Sequence, residues 1–544
     1  MSTAKLTKSA GVVGIAIVIS RILGLVRDQV FAFFFGSTWV ADAFIVAFRI
    51  PNMLRDLFAE GALSQAYIPI FTKKMLQKGE AAAWRLTNLV LNWQILILMP
   101  IVLLGIFFAP DLVQVVGRGF QGHTLELTIR LTRIMFPFIL LVAVAAVFMG
   151  TLNVRHIFFI PASASSMFNF STISIGILIG ILVYRQRGPE AAVVGWAVGT
   201  LIGGFTQMAV QLPSLWREGY RYQFVLAAED SGLGEILRRV VPGIIAVSPV
   251  QVNVLVATYF ASFLETGSVA WLSYAFRLIF LPIGLFGVGI ATVVLPSISK
   301  YASEKNLTEF RSHFNHSLRL AMCFAIPSAV GMAIIGNLLI GVIYQRGQFT
   351  PSDTVETARI LQLYAIGLIG YTALKVIVPA FYALGRPNWP MIVSIVSMFV
   401  NFFLSLLFVK NEMFDFGIFD LKARGLALAT ACSALLNACV LLWMLRMLLE
   451  KRIDFHETIV GLLRVACASG IMGFAVYGLW QLFRNLRMPD LLWSNVIQLF
   501  LLVGVGAWVF LAAARFLKIR EVREMTDMIL RKLYGDKAKT ARED

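Results

Sequence analysis

The chain has 544 residues, of which 58% are hydrophobic and only 14% charged, and its mean hydropathy is +0.79. Soluble domains run near 25% charged residues, so these values exclude an ordinary water-soluble globule. The formal net charge of +17 does not point to nucleic acid, because the basic residues lack the interleaved aromatic or zinc-finger patterning of nucleic-acid readers.

Apolar runs of roughly 18–25 residues recur from end to end, each long enough to span a bilayer as a helix. Ordered strand signals are absent, and lipid demands that backbone groups be satisfied internally, so the fold class is an all-α polytopic membrane protein. In chain order the predicted spans are 9–34, 38–58, 87–108, 128–152, 159–184, 191–213, 236–263, 268–298, 315–344, 357–384, 388–409, 424–447, 457–482 and 491–517, about 14 transmembrane helices. Lys5 and Lys8 precede the short apolar run Gly11 to Ser20, as in a signal peptide. No small-x-small cleavage site follows and Arg21 interrupts the run, so this segment reads as a first, broken membrane helix.

Loops of one parity collect the basic residues: Lys73, Lys74 and Lys78, then Arg217, Arg221, Arg238 and Arg239, then Lys300, Lys305 and Arg311, then Lys451 and Arg452, and the tail. This positive-inside bias, with an even number of spans, places both termini in the cytoplasm. In the tail, Val522, Met525, Ile529 and Leu533 fall at helical spacing, fitting either a short interfacial helix on anionic lipid or a solvated tail. The cysteines Cys323, Cys432, Cys439 and Cys467 all lie in apolar runs and imply no disulfide framework.

An internal echo links Ala47-Phe48-Arg49-Ile50 to Ala275-Phe276-Arg277-Leu278. The same offset carries Leu57-Phe58 onto Leu285-Phe286 and Gly61 onto Gly289, with Pro69 and Pro296 agreeing within one residue. The copies lie in the second and eighth spans. An even separation gives both halves one orientation, which suggests parallel repeats of a transporter; chance matching in a biased composition is the alternative.

The informative residues are ionisable groups inside apolar spans. The first span carries Arg21, Arg27 and Asp28; the second Asp42, Arg49, Arg55, Asp56 and Glu60; the eighth Arg277; the tenth Lys375. Each charge at mid-bilayer costs ~2.5–3.5 kcal/mol on insertion scales, so these groups must pair, snorkel or face water. Pairing accounts for Asp28, Asp56 and one or two arginines. For the rest, a water-filled cationic cavity between the halves is expected, because the guanidinium fork suits diphosphate and carboxylate oxygens. Asp42 and Arg49, seven apart, share a helix face and suit a salt bridge. Gly24, Pro51, Gly61 and Pro69 are expected to interrupt these helices beside the charges, as at a binding site or hinge.

No Walker-type phosphate loop, HExxH or GxSxG pattern occurs. His313 and His316 are three apart but lack further ligands, so a polar helix start is expected there. A membrane-embedded enzyme acting on a lipid diphosphate would need clustered acids or metal ligands, and no such cluster is seen.

The stretch Ser20-Arg-Ile-Leu-Gly-Leu-Val-Arg-Asp28, Asp42-Ala-Phe44 and Pro51-Asn-Met-Leu-Arg-Asp-Leu-Phe-Ala-Glu-Gly-Ala62, followed by Ser64-Gln65-Ala66, resembles the MurJ family of lipid II flippases, within the multidrug/oligosaccharidyl-lipid/polysaccharide exporter superfamily. Phe260 to Leu264, Gly267 to Val269, Tyr274 to Arg277, and Lys375 to Gly385 carry the resemblance onward. It implies two pseudo-symmetric six-helix lobes, 1–213 and 236–447, two extra helices at 457–517 forming a lipid-tail groove, and a basic tail at 519–544. It further implies a bacterial inner-membrane transporter rather than an enzyme, working by alternating access. The expected substrate is lipid II, an undecaprenyl-diphosphate-linked disaccharide peptide, flipped from the cytoplasmic to the periplasmic leaflet. Matching positions make Arg21, Arg27, Arg55, Arg277 and Asp42 the substrate-binding set, with Arg49, Glu60, Gly24, Pro51 and Lys375 in gating or structural roles. The implied partners are lipid II and membrane lipids, with room for other cell-wall synthesis proteins. No cofactor is expected. Some members use acids in spans seven and eleven for sodium, but here those positions are Ala257 and the Asn401–Ser405 turn, which argues against such a site. Phe276 also stands where some members place a polar or acidic residue. The alternatives are a flippase for another polyprenyl-diphosphate-linked glycan, the membrane-embedded enzyme, and an exporter of small cations, which an arginine-lined cavity would repel.

Overall fold

The computed structural model describes residues 3–57, 62–227, 231–284, 288–410, 419–449, 455–486 and 491–534, and every regular element among them is a helix. Two compact units emerge. The first comprises Met1–Ala270 with Arg346–Thr350. It holds α1 (Thr3–Phe35), α2 (Trp39–Arg55), α3 (Ala62–Lys78), α4 (Glu80–Phe107), α5 (Ala109–Val116), α6 (Gly122–Met135), α7 (Phe138–Val154), α8 (Phe159–Ala209), α9 (Leu212–Arg217) and α10 (Ser231–Ala261). The second comprises Trp271–Gln345 with Pro351–Asp544. It holds α11 (Ser268–Pro282, its first turn in the first unit), α12 (Val288–Ser303), α13 (Leu307–Tyr344), α14 (Pro351–Ala383), α15 (Asn388–Phe408), α16 (Lys422–Leu448), α17 (Phe455–Asn485), α18 (Leu492–Phe516) and α19 (Arg520–Tyr534). The chain thus divides at Ala270 and not near 236, because α10 packs along α3 of the first unit.

Among the described residues, ten helical stretches are long and apolar enough to cross a membrane, or eleven if the two halves of α10, bent by 44° between Ile244 and Ser248, count as one span. These correspond to all but three of the predicted spans, so the apolar count stops short of fourteen. The exceptions are α1, which carries Arg21, Arg27 and Asp28 within two turns, and α2 and α11, whose 17 and 15 residues end close to positions outside the described residues.

Side-chain sterics set the local shapes. α1 ends at Gly36, whose φ of +55° only glycine adopts at little cost. A Cβ there would also lie 2.3 Å from the Gln348 carbonyl oxygen, since residues 346–350 fold onto this corner, with Gln348 N donating to Phe33 O at 2.9 Å. The long element α8 turns back at Gly188 (φ 79°), and its second arm carries Gly195, Gly199 and Gly203. These bare faces let the arms approach until Ile179, Ile175 and Thr172 fill the space of a missing Cβ. Such close contact replaces the hydrophobic drive that lipid cannot supply. In the first unit's core, the Tyr67 hydroxyl sits 2.8 Å from both Thr87 and Thr151. The strand-like segment after α9 is pinned to α4 by amides: Asn88 Nδ2 donates to Arg221 O, and Asn92 Nδ2 to Gln223 O and Val225 O. Beside it, Arg155 donates to Glu80 and, at 2.7 Å, to Glu218. The hydrogen bond to Glu80, then that to Glu218, raises its already high pKa.

The sequence echo has a structural counterpart. α2 and α11 each run into a π-type turn, at Asp56–Leu57 and at Ile283–Gly284. Gly24, Pro51 and Pro69, expected to break their helices, instead lie inside α1, α2 and α3. α1 is likewise continuous through Arg21, not broken there. Gly24 faces α8, where a Cβ would stand in ordinary contact, 3.6 Å from Asn169 Nδ2. Glu60 and Gly61 lie outside the described residues.

Candidate functional site

The charged residues singled out by their cost in lipid fall on α1, α2, α11 and α14, and the structure treats them in different ways. On α1, Arg27 Nε and Nη2 donate to Asp28 Oδ1 at 3.2 and 2.9 Å, and its guanidinium lies 5.6 Å from the ring centre of Phe168 on α8. On α2, Arg55 repeats the arrangement with Asp56, Nε and Nη2 donating to Oδ1 at 3.1 and 2.8 Å. The other oxygen of Asp56 accepts from Gln251 Nε2 of α10 at 3.0 Å. Each arginine therefore carries a counterion on the next residue. Neither pair is sealed in dry packing: the four side chains keep between 14% and 24% of their exposure.

Asp42 is buried, and its carboxylate accepts from Gly267 N at 2.6 Å and Ala270 N at 2.8 Å, at the turn that leads into α11. A carboxylate against the free N–H groups of a helix start is favoured by both charge and dipole. Both oxygens are thus committed to backbone, where the sequence expectation had Asp42 among the ligand-binding residues. Arg21 and Arg49 are half-buried, and Pro51 is buried.

In the second unit, Phe276 of α11 packs in an aromatic shell, 5.2 Å from Tyr364 and 6.1 Å from Tyr371 between ring centres. Leu278 and Ile279 are fully buried, and Arg277 between them and Phe276 is exposed. Lys375 is exposed on α14, one turn from Tyr371 and two from Tyr382. On α15, the Ser405 hydroxyl donates to Asn401 Oδ1 at 3.2 Å. Among the described residues, no three His, Cys, Asp or Glu side chains converge closely enough to hold a metal ion.

Residue reasoning missed Phe168, Gln251 and Asn169, whose Nδ2 donates to Ser20 O at 3.2 Å. The signal was available: an amide inside an apolar span is costly unless it bonds, just as a charge is. The backbone partners of Asp42 had no signal, since a main-chain N–H belongs to every residue.

Long apolar spans, packed with helices that carry arginine at partly open positions, define a polytopic membrane transporter. Residues 31–496 match the family model described as "Lipid II flippase MurJ". A relative from Buchnera aphidicola subsp. Schizaphis graminum, described as "Probable lipid II flippase MurJ", is 31% identical over 516 residues, covering 94% of this chain and 97% of its own. A solved structure titled "Lipid II flippase MurJ, inward closed conformation" superposes with a TM-score of 0.75 at 28% identity, over 93% of this chain and 98% of the other. A multidrug resistance MATE family transporter of the MOP superfamily, in an inward-facing conformation, shares the fold with a TM-score of 0.67 at 16% identity, over 80% of this chain and 96% of the other. The chain belongs to the lipid II flippase MurJ family.

Proposed function

We propose that this chain flips lipid II from the cytoplasmic to the periplasmic leaflet of a bacterial inner membrane, with Arg27, Arg55 and Arg277 taking the diphosphate and peptide carboxylates in turn. Family membership supports the substrate. The observation that supports the residue roles is that Arg27 and Arg55 stay partly open beside their aspartates on α1 and α2, and that Arg277 is exposed on α11.

The adjacent aspartates give this reading a mechanism. Arg27 and Arg55 each hold a single carboxylate oxygen with two donors of the fork, a geometry that a phosphate oxygen also satisfies. Asp28 and Asp56 keep the guanidinium charged and aimed while no substrate is bound. A diphosphate, with more charge than one carboxylate, competes for the same donors, so the desolvation of arginine is not repeated at each cycle. Asp42, holding Gly267 and Ala270, serves as a latch whose release accompanies opening on that side. The positive-inside bias puts both termini in the cytoplasm. The long exposed side chains Phe474, Trp493, Phe500 and Trp508 on α17 and α18 suit contact with the polyprenyl tail. No cofactor enters this scheme.

The test is complementation of cells depleted of their own flippase, with precursor in the outer leaflet labelled from the periplasmic side. Arg27→Ala, Arg55→Ala and Arg277→Ala are expected to insert normally and to leave the label at background. Normal labelling with all three changed together overturns the assignment.

A further inference from the structure

A second cationic site lies in the second unit, on α13, α17 and the corner between α18 and α19. Where α18 turns into α19, a cleft of about 370 Å³ is lined by Arg319 of α13, Glu457 and Arg464 of α17, and Lys518, Arg520 and Glu521 at the α18–α19 corner. Four cations face two carboxylates there, and Arg520 is further tied to Glu524 at 2.7 Å. Arg319 is 8% exposed and its Nε donates to the buried Glu521 at 2.5 Å. Its Nη1 is covered from solvent and makes no hydrogen bond, with Glu457 Oε2 3.8 Å away. That nitrogen is held by an ion pair with Glu457 and not by a hydrogen bond, which leaves the guanidinium under-satisfied. Gly461 clears the path for this side chain, since a Cβ there would stand 2.9 Å from Arg319 Cδ. His316 Nδ1 borders the cluster, 4.0 Å from Glu521 and 3.9 Å from Glu524.

The level of this cleft in the membrane follows from helix length. Arg319 lies 25 residues before Tyr344, the end of α13, a rise of about 37 Å at 1.5 Å per residue. That exceeds the hydrocarbon thickness of about 30 Å, so the cleft sits at headgroup depth. Ile459 and Leu463, next to the cleft residues on α17, and Phe516, just before Lys518, are exposed apolar side chains. Cations at headgroup depth beside exposed apolar surface are the pattern that phosphate-bearing lipids recognise. Nor does α19 lay its whole apolar stripe on the membrane: Val522 is buried with Ile519 in the core of α13, α17 and α18.

We propose that this cleft binds the phosphate headgroup of an anionic phospholipid, with Arg319, Arg464 and Lys518 as its ligands and the acyl chains lying along Ile459, Leu463 and Phe516. Binding ties α19 to the membrane surface and to α13 at once. The site is independent of which substrate the protein moves.

The experiment uses the full chain in a neutral detergent, titrated with dihexanoyl phosphatidylglycerol, dihexanoyl phosphatidylcholine or inorganic phosphate and read by native mass spectrometry. The phosphatidylglycerol is expected to bind at least tenfold tighter than either other probe. Replacing Arg464 and Lys518, both exposed, by Ala together should weaken it by about tenfold, the scale of one charge-assisted hydrogen bond. The control pair Arg217→Ala with Arg238→Ala, exposed residues of the first unit, should leave it unchanged. Equal binding of the two lipids, equal loss in the control pair, or phosphate binding as tightly as phosphatidylglycerol would each overturn the proposal, the last in favour of a free-anion site.

Discussion

The two repeats solve the same problem differently. In the first unit, Arg27 and Arg55 each have an aspartate as the next residue and bond to it. In the second, Arg277, the repeat mate of Arg49, is the only charged residue of α11 and is followed by a buried leucine. The first design keeps arginine in a membrane helix by local neutralisation. The second keeps it by exposure, at a position one step from a fully buried pair. A carboxylate that travels with its arginine stabilises the resting protein, whereas Arg277 has no acid on its own helix, so any counter-charge comes from another element.

That contrast can be broken in a graded series. Arg277→Ala should abolish transport while leaving insertion intact, and Arg277→Lys should recover only part of it, because the ammonium lacks the planar fork; outer-leaflet labelling reads both. Asp28→Asn and Asp56→Asn should act in the opposite sense from Arg277→Ala, lowering stability by about 1–3 kcal/mol for a half-buried pair that loses its counterion. Thermal unfolding in detergent measures this, and no shift in either variant would mean the adjacent carboxylates are ornamental. Asp42→Asn weakens two charge-assisted bonds to backbone. Amide exchange at Gly267 and Ala270 should quicken by about tenfold, a cost near 1.4 kcal/mol, with peptides from α4 as the unaffected reference. Gln251→Ala, which removes a neutral donor from Asp56, should cost only about 0.5–1.5 kcal/mol and leave transport near normal.

Much of this was legible in residues. Eleven of the predicted spans have a helical counterpart of the right length and apolarity, since twenty apolar residues in a row leave few other folds. The charged helices were legible for the opposite reason, as each charge needed an explanation. The repeat was visible as four residues and an offset, and a π-type turn follows each copy, at Asp56–Leu57 and Ile283–Gly284. What stayed hidden was anything made by main chain or by tertiary packing. Gly24 and Pro51 suggested breaks, yet their helices run through them: glycine only lowers helix propensity, and α2 tolerates a proline near its end. Asp42 was read as a partner for a cation and a ligand, and the hydrogen bonds it accepts from Gly267 N and Ala270 N at a helix start had no signal in side chains.

The π-type turns after Arg55 and Pro282 have a mechanical consequence. A wider turn skips one rung of the hydrogen-bond ladder, leaving a carbonyl able to change partner without unwinding the helix. The turn comes seven residues after Arg49 and six after Arg277, about two helical turns beyond each matched cation. Handhold and pivot therefore recur together, each arginine followed by a joint that swivels at little energetic expense.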